Sequence, residues 1–184
     1  MRQPLHALKH DHRIIERALR ALDGICLRLG LGEEIPRSSL EELVAFIGAF
    51  ADRYHHGKEE AYLFPALERR GILREGGPLA VIEHQHEIER KLTAQMHRAL
   101  EEYGDSDRGS RRRFVEAARR YTDHLIAHIQ TEDSLLFRLA DEILEETDIA
   151  EIKRGFERSE SELSPRTRDE YERLSCELED SWVV

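Results

Sequence analysis

The chain has 184 residues, 40% hydrophobic and 36% charged, which suits one domain with a real core and is too apolar for a disordered segment. Its net charge of −10 argues against nucleic acid and anionic membranes as partners, because both need a cationic face. No run of about 18 apolar residues offers a membrane span, and strand-like runs are hard to find, so an all-α fold is expected.

Met1-Arg2-Gln3-Pro4 leads straight into an amphipathic pattern, so no signal peptide is expected and the cytoplasm is the expected location. The first helix spans about Leu5 to Leu29, with Leu5, Leu8, Ile15, Leu19, Leu22 and Cys26 on one stripe; Gly30, Gly32 and Pro36 break it. The second opens with a capping box at Ser39-Leu40-Glu41-Glu42, carries Leu43, Val44, Ile47, Phe50, Ala51 and Tyr54 inward, and stops at Gly71. Gly76-Gly77-Pro78 starts the third, which buries Val81, Ile82, Ile88, Leu92, Met96 and Leu100, and Gly104-Asp105-Ser106-Asp107 is a polar turn. The fourth, roughly Ser110 to Glu145, buries Phe114, Ala118, Tyr121, Leu125, Ile129, Leu136 and Leu139. Its arginines, Arg111-Arg112-Arg113 and Arg119-Arg120, read as a solvated helix start. The tail is one or two amphipathic helices broken at Ser164-Pro165. The expectation is an up-down four-helix bundle over residues 1–145 with a helical extension over 146–184, packed on the bundle or on a partner. Cys26 and Cys176 are isolated and show no metal-type spacing, which suits a reducing compartment with buried or incidental thiols.

The unusual feature is ten histidines, eight of them in the clusters His10/His12, His55/His56, His84/His86 and His124/His128. The chain also repeats itself. His55-His56-Gly57-Lys58-Glu59-Glu60 with Leu63-Phe64 matches His128-Ile129-Gln130-Thr131-Glu132-Asp133 with Leu136-Phe137, 73 residues later (55 to 128). Leu8-Lys9-His10-Asp11-His12 matches Ile82-Glu83-His84-Gln85-His86, 74 residues later (12 to 86). Two helix pairs of one plan would pack with pseudo-two-fold symmetry.

Residues four apart on a helix lie about 6 Å apart along its axis, on one face. His55 with Glu59, and His128 with Glu132, can therefore aim an imidazole and a carboxylate at one point. Such mixed ligation suits iron, manganese or zinc. At about 100° per residue, His128 and Glu132 sit near the centre of the stripe of Phe114, Tyr121, Leu125, Leu135 and Leu139, where burial demands compensation. His55 lies on the shoulder of its stripe, whereas His56 and Glu60 turn away, so the register His55/Glu59 is preferred. His12 is flanked by Leu5, Leu8, Ile15 and Leu19 and is favoured over His10; its match to His86 carries the third helix, where phase alone does not separate His84 from His86. Asp11 and Gln85 are either acceptors for imidazole N–H groups or satisfied core polar residues. His124, one turn before His128, is either a ligand or a hydrogen-bond neighbour. Tyr54 and Tyr121 read as core aromatics whose phenols could reach a molecule bound at the metal.

Taken together, His12, the segment His55-His56-Gly57-Lys58-Glu59-Glu60 with Leu63-Phe64-Pro65, His86, and the segment His128 to Asp133 with Leu136-Phe137 resemble the hemerythrin-like family in its branch with paired HHE segments, over about Leu5 to Leu139. The resemblance implies two iron ions in a non-haem centre bridged by carboxylates and an oxo or hydroxo group, held by His12, His55, Glu59, His86, His128 and Glu132. It also implies binding of dioxygen, nitric oxide or peroxide. Arg90 stands where the oxygen carriers of the family place a second third-helix histidine, and Glu132 stands for their last-helix aspartate. The missing imidazole would have to come from His10, His84 or His124, with His56 and Glu60 as the alternative register. A binding or sensing protein for dioxygen or a related small molecule is the first expectation. The alternatives are an enzyme that decomposes peroxide or reduces nitric oxide at the same centre, an iron-handling protein, and a structural site. A homodimer through the C-terminal helices is left open.

Overall fold

Each amphipathic stripe of the sequence is helical in the computed structural model, which describes residues 2–103 and 108–183 and has no strand among them. The turn expected at Gly104-Asp105-Ser106-Asp107 lies outside the described residues. Helix α1 (Gln3–Gly30) takes Pro4 in its first turn, where a missing N–H is harmless, and buries the expected stripe from Leu5 to Cys26. Helix α2 (Arg37–Phe46) begins directly after Pro36 and has no side-chain cap. The capping box at Ser39 is thus corrected: Pro36 has already turned the chain, and Ser39 lies inside the first turn.

Beyond Phe46 the same rod continues through two π-helical stretches, Ile47–His56 and Glu59–Leu63, into α3 (Phe64–Arg69), and Gly71 at φ 90° ends it. Helix α4 (Pro78–Glu101) is the third rod. The fourth is α5 (Arg108–Thr131), a π-helical stretch Glu132–Leu136, and α6 (Phe137–Ile143). The π turns at Glu59–Leu63 and Glu132–Leu136 open on the two glutamates matched by the internal repeat. An i→i+5 turn takes more residues per revolution than 3.6, so phase counted at 100° per residue drifts beyond it. That drift accounts for one departure: Leu135, expected in the stripe, is 67% exposed, and its neighbour Leu136 faces in. Val81, expected inside on α4, is also exposed; Leu79 and Ile82 fill that end of the core instead.

The core has two apolar blocks. One joins Ile14 to Leu29, Leu40 to Tyr54, Leu92 to Tyr103 and Phe114 to Ile129; the other joins Leu5 and Leu8, Leu63 to Leu67, Leu79 and Ile82, and Leu136 to Leu144. The first and third rods run from the second block to the first, and the second and fourth run back, which is an up-down-up-down bundle. Between the blocks every rod contributes buried polar residues: His12, His55 with His56 and Glu59, His86 with Glu89, and His128 with Glu132.

Helices α7 (Glu146–Glu162) and α8 (Arg168–Trp182) flank this bundle, each opened by a capping box, Glu145 with Asp148 and Thr167 with Glu170. Helix α8 lies along α1, with Tyr171 against Phe46 and Phe50. Helix α7 packs on the π turn that carries Glu59, and Gly155 makes this approach close: a Cβ there would meet the Tyr62 ring at 2.3 Å. Gly155→Ala is therefore expected to lower the melting temperature by several degrees in thermal denaturation, although Ala is the better helix former by about 1 kcal/mol. An unchanged or raised melting temperature would show that α7 does not sit against Tyr62.

Candidate metal centre

The polar layer is built so that imidazole Nε2 atoms point inward and Nδ1 atoms point outward. Nε2 of His12 lies 2.9 Å from Nε2 of His55 and 3.2 Å from Oε2 of Glu132. Glu59 turns Oε1 to His55 Nε2 at 3.8 Å and Oε2 to His86 Nε2 at 3.6 Å, and Glu132 Oε2 lies 3.3 Å from His128 Nε2. The His56 and His86 rings stack 3.9 Å apart, with the His128 ring edge-on to both. Three overlapping groups have donor atoms within 4.8 Å of one another: His12, His55, Glu59 and Glu132; Glu59, His86, His128 and Glu132; and His56, His86 and His128. Both glutamates belong to groups on either side. All these residues are buried.

The outer nitrogens follow the repeat. Asp133 Oδ1 accepts from His12 Nδ1 at 2.9 Å, and its repeat counterpart Glu60 accepts from His86 Nδ1 at 2.7 Å. Gln85 Oε1 accepts from His128 Nδ1 at 3.0 Å, and its counterpart Asp11 lies 3.7 Å from His55 Nδ1. Oxygens placed behind imidazoles fix ring orientation and leave the inner nitrogen free to act as a donor. Arg90 holds this layer from outside, donating to Asp52 and to Glu60 at 2.7 Å each.

Ordinary hydrogen bonding leaves the centre of the chamber unsatisfied. His56 Nε2, His86 Nε2, His128 Nε2, both oxygens of Glu59 and Oε1 of Glu132 are buried without a hydrogen-bond partner. Buried polar atoms are rarely left so, and two facing Nε2 atoms 2.9 Å apart cannot both be lone-pair acceptors without repulsion. Two donors bound at about 2 Å to one ion at a right angle would lie roughly 3 Å apart, so the spacing fits a shared cation.

The charges agree. Burial, and then the neighbouring Glu132 carboxylate, push the Glu59 carboxyl well above its usual range. Burial also opposes ionisation of Glu132, but His128 and His12 outweigh it and hold that carboxyl well below the usual range. His55 is pushed down to about 4 chiefly by burial; His56 is pushed well down by burial and by the facing His86 and His128. His128 is raised to about 9, because Glu132 overcomes the opposing burial. In a metal-free chamber protons stand where cations would.

His12, His55, Glu59, His86, His128 and Glu132, the set expected from the sequence, all converge. One expectation is corrected, and the open alternatives are placed. His56, which a 100° phase turns away, is fully buried in the imidazole group, because the π-helical stretch ending at His56 lets two consecutive residues face inward. His10 and His84 are not in the chamber: His84 is 67% exposed, and His10 pairs at the surface with Arg168 and Glu172. His124 is a hydrogen-bond neighbour, its Nδ1 2.9 Å from Oε1 of Glu89. Glu60 stands behind His86 rather than in the chamber. Tyr54 and Tyr121 are buried with the apolar core. Glu89 was missed: it is buried, with Oε2 3.5 Å from His56 Nε2, and its signal was a carboxylate three residues after His86 on the same helix face.

The chain matches the model of the hemerythrin HHE cation-binding domain over residues 3–140. Among curated proteins it is 26% identical over 153 residues to the uncharacterized protein Rv1995 of Mycobacterium tuberculosis and to the uncharacterized protein Mb2018 of Mycobacterium bovis. Each alignment covers 83% of this chain and 59% of the relative, so the chain spans about three fifths of the length of these proteins. No solved structure matches.

Two outcomes are expected. His56→Ala should cut metal retention in dialysed protein at least about tenfold, as His55→Ala does, whereas His84→Ala should leave it unchanged. Equal retention by His56→Ala and wild type would remove His56 from the centre. For metal-free protein, His128 gives stability that is full below pH 6.5 and lost as pH rises through about 9, whereas His55 gives stability present above 6.5 and lost as pH falls through about 4. The loss of melting temperature between pH 6.5 and about 9 should therefore be smaller in His128→Gln than in wild type. A His128→Gln profile that keeps the wild-type alkaline limb would refute the assignment.

Proposed function

The chain belongs to the hemerythrin HHE cation-binding domain family, and on that premise we propose that it is a non-haem di-iron protein that binds or senses dioxygen or a related small molecule such as nitric oxide or peroxide. One ion would be held by His12 and His55, the other by His56, His86 and His128, with Glu59 and Glu132 shared between them. The observation that carries this reading is the inequality of the two sides. The His12/His55 side gathers two imidazoles with the two glutamates, whereas the other gathers His86 and His128 with the same glutamates and has His56 beside those two rings as a third imidazole. Six-coordinate iron would thus keep more open positions beside His12 and His55. Two ferrous ions held by these residues would supply one electron each to a small oxidant.

The protein's own part is to bind, orient and exclude water. Neutral imidazoles suit metal binding at neutral pH, and burial already favours the neutral form of His55 and His56. Asp133, Glu60 and Gln85 fix three of the rings. The apolar blocks above and below keep bulk water from the centre, which strengthens each charge interaction inside it. The repeat makes the inequality informative: His56 is matched by Ile129 and Glu89 by Ile15, so polar residues on one side have apolar counterparts on the other.

The test is metal stoichiometry combined with absorption spectra recorded before and after air is admitted to the anaerobic ferrous protein. Two irons per chain and a visible charge-transfer band that grows on exposure are expected. One zinc per chain with no visible absorption would sink the proposal.

A further inference from the structure

The family match ends at residue 140, but the support of the metal chamber does not. Asp11, whose Oδ2 lies 3.7 Å from His55 Nδ1 in an ion-pair rather than a hydrogen-bond contact, is fully buried and carries two cations. One is Lys58, which donates to Oδ2; it is itself 1% exposed, with its ammonium 3.9 Å from the Tyr54 ring centroid and 4.9 Å from that of Phe156 on α7. The other is Arg168 in the first turn of α8, whose Nε and Nη2 both donate to Oδ1, at 3.2 and 3.1 Å. Arg168 also contacts His10 and lies 3.6 Å from Glu172. A buried carboxylate with one partner removed is costly, so both cations bear on where Asp11 sits.

The repeat shows what is particular here. On the other side the matching residue is Gln85, a neutral amide that holds His128 with no cation of its own among the described contacts. The charged version at position 11 has its second cation supplied by a helix outside the matched domain.

We propose that Arg168 is a positioning residue for the metal centre: through Asp11 it fixes the His55 imidazole, so that the C-terminal extension completes the His12/His55 side. This rests on the di-metal reading above. Arg168 fixes Asp11 through a two-pronged contact that a lysine reproduces only in part. Loss of such outer partners commonly weakens metal binding about 10–100-fold.

The test uses cobalt(II) as a spectroscopic probe in the full chain, comparing wild type, Arg168→Gln, Arg168→Lys and Glu179→Gln. Glu179 pairs with Arg20 at the far end of α8, at 2.6 Å, and controls for loosening of that helix without touching Asp11. Arg168→Gln should weaken cobalt binding at least about tenfold and shift the ligand-field bands; Arg168→Lys should restore part of both, and Glu179→Gln should leave both as in wild type. Melting of the metal-free proteins separates folding from positioning. Arg168→Gln with wild-type affinity and bands would overturn the proposal, as would Glu179→Gln producing the same spectral change. Wild-type protein that binds no cobalt would overturn the di-metal reading and this one together, whereas wild-type binding with an unaltered Arg168→Gln spectrum would overturn this one alone.

Discussion

Two glutamates, Glu59 and Glu132, are completely removed from water in one chamber, and the rest of the structure is arranged around that fact. Two like charges at close range in a low dielectric cannot both persist unless cations stand between or beside them. The opposite shifts of the two carboxyls, one up and one down, record that conflict in the protein alone. Imidazoles with inward Nε2 atoms, oxygens behind their Nδ1 atoms and apolar blocks at both ends are parts of one solution, in which a bound cation would supply the missing positive charge.

The fold was legible because it depends on features that survive averaging over many residues. Apolar stripes at helical spacing give the rods, Gly71 and Gly77-Pro78 give the breaks, and the internal repeat gives the symmetry. The repeat also pointed to six of the seven chamber residues, since a His and a Glu at matching places in both halves are hard to explain separately. His56, Leu135 and the Ser39 cap were misread for local reasons. Phase at 100° per residue assumes i→i+4 hydrogen bonds throughout, and the rods leave that pattern where the chamber is built. Pro36 displaced a cap that composition alone favoured. Glu89 had no partner in the repeat to mark it.

The π turns are a clue in their own right. Widening a helix by one residue costs regular hydrogen bonding, and such turns gather at functional sites. Two of the three here begin at Glu59 and Glu132, the residues that face both sides of the chamber. A strict α-helix offers one inward position per turn to such a layer. The wider stretch from Ile47 lets His55 and His56 both enter, and this is how the second rod contributes three chamber residues while α1 contributes His12 alone.

Symmetry in the sequence therefore produces a centre that is not symmetric. Asp133 and Glu60 are equivalent, and so are the places of Asp11 and Gln85, yet the last pair differs by a full charge. A neutral amide can be buried with a single hydrogen bond, whereas a carboxylate at the same place requires positive charge nearby. Lys58 and Arg168 meet that requirement, and Arg168 belongs to a helix that the two repeated pairs do not include. The side with fewer imidazoles is thus the side with the more elaborate outer support. On the proposed di-iron reading, the fewer protein donors of that side would have to be held more firmly to keep an ion in place.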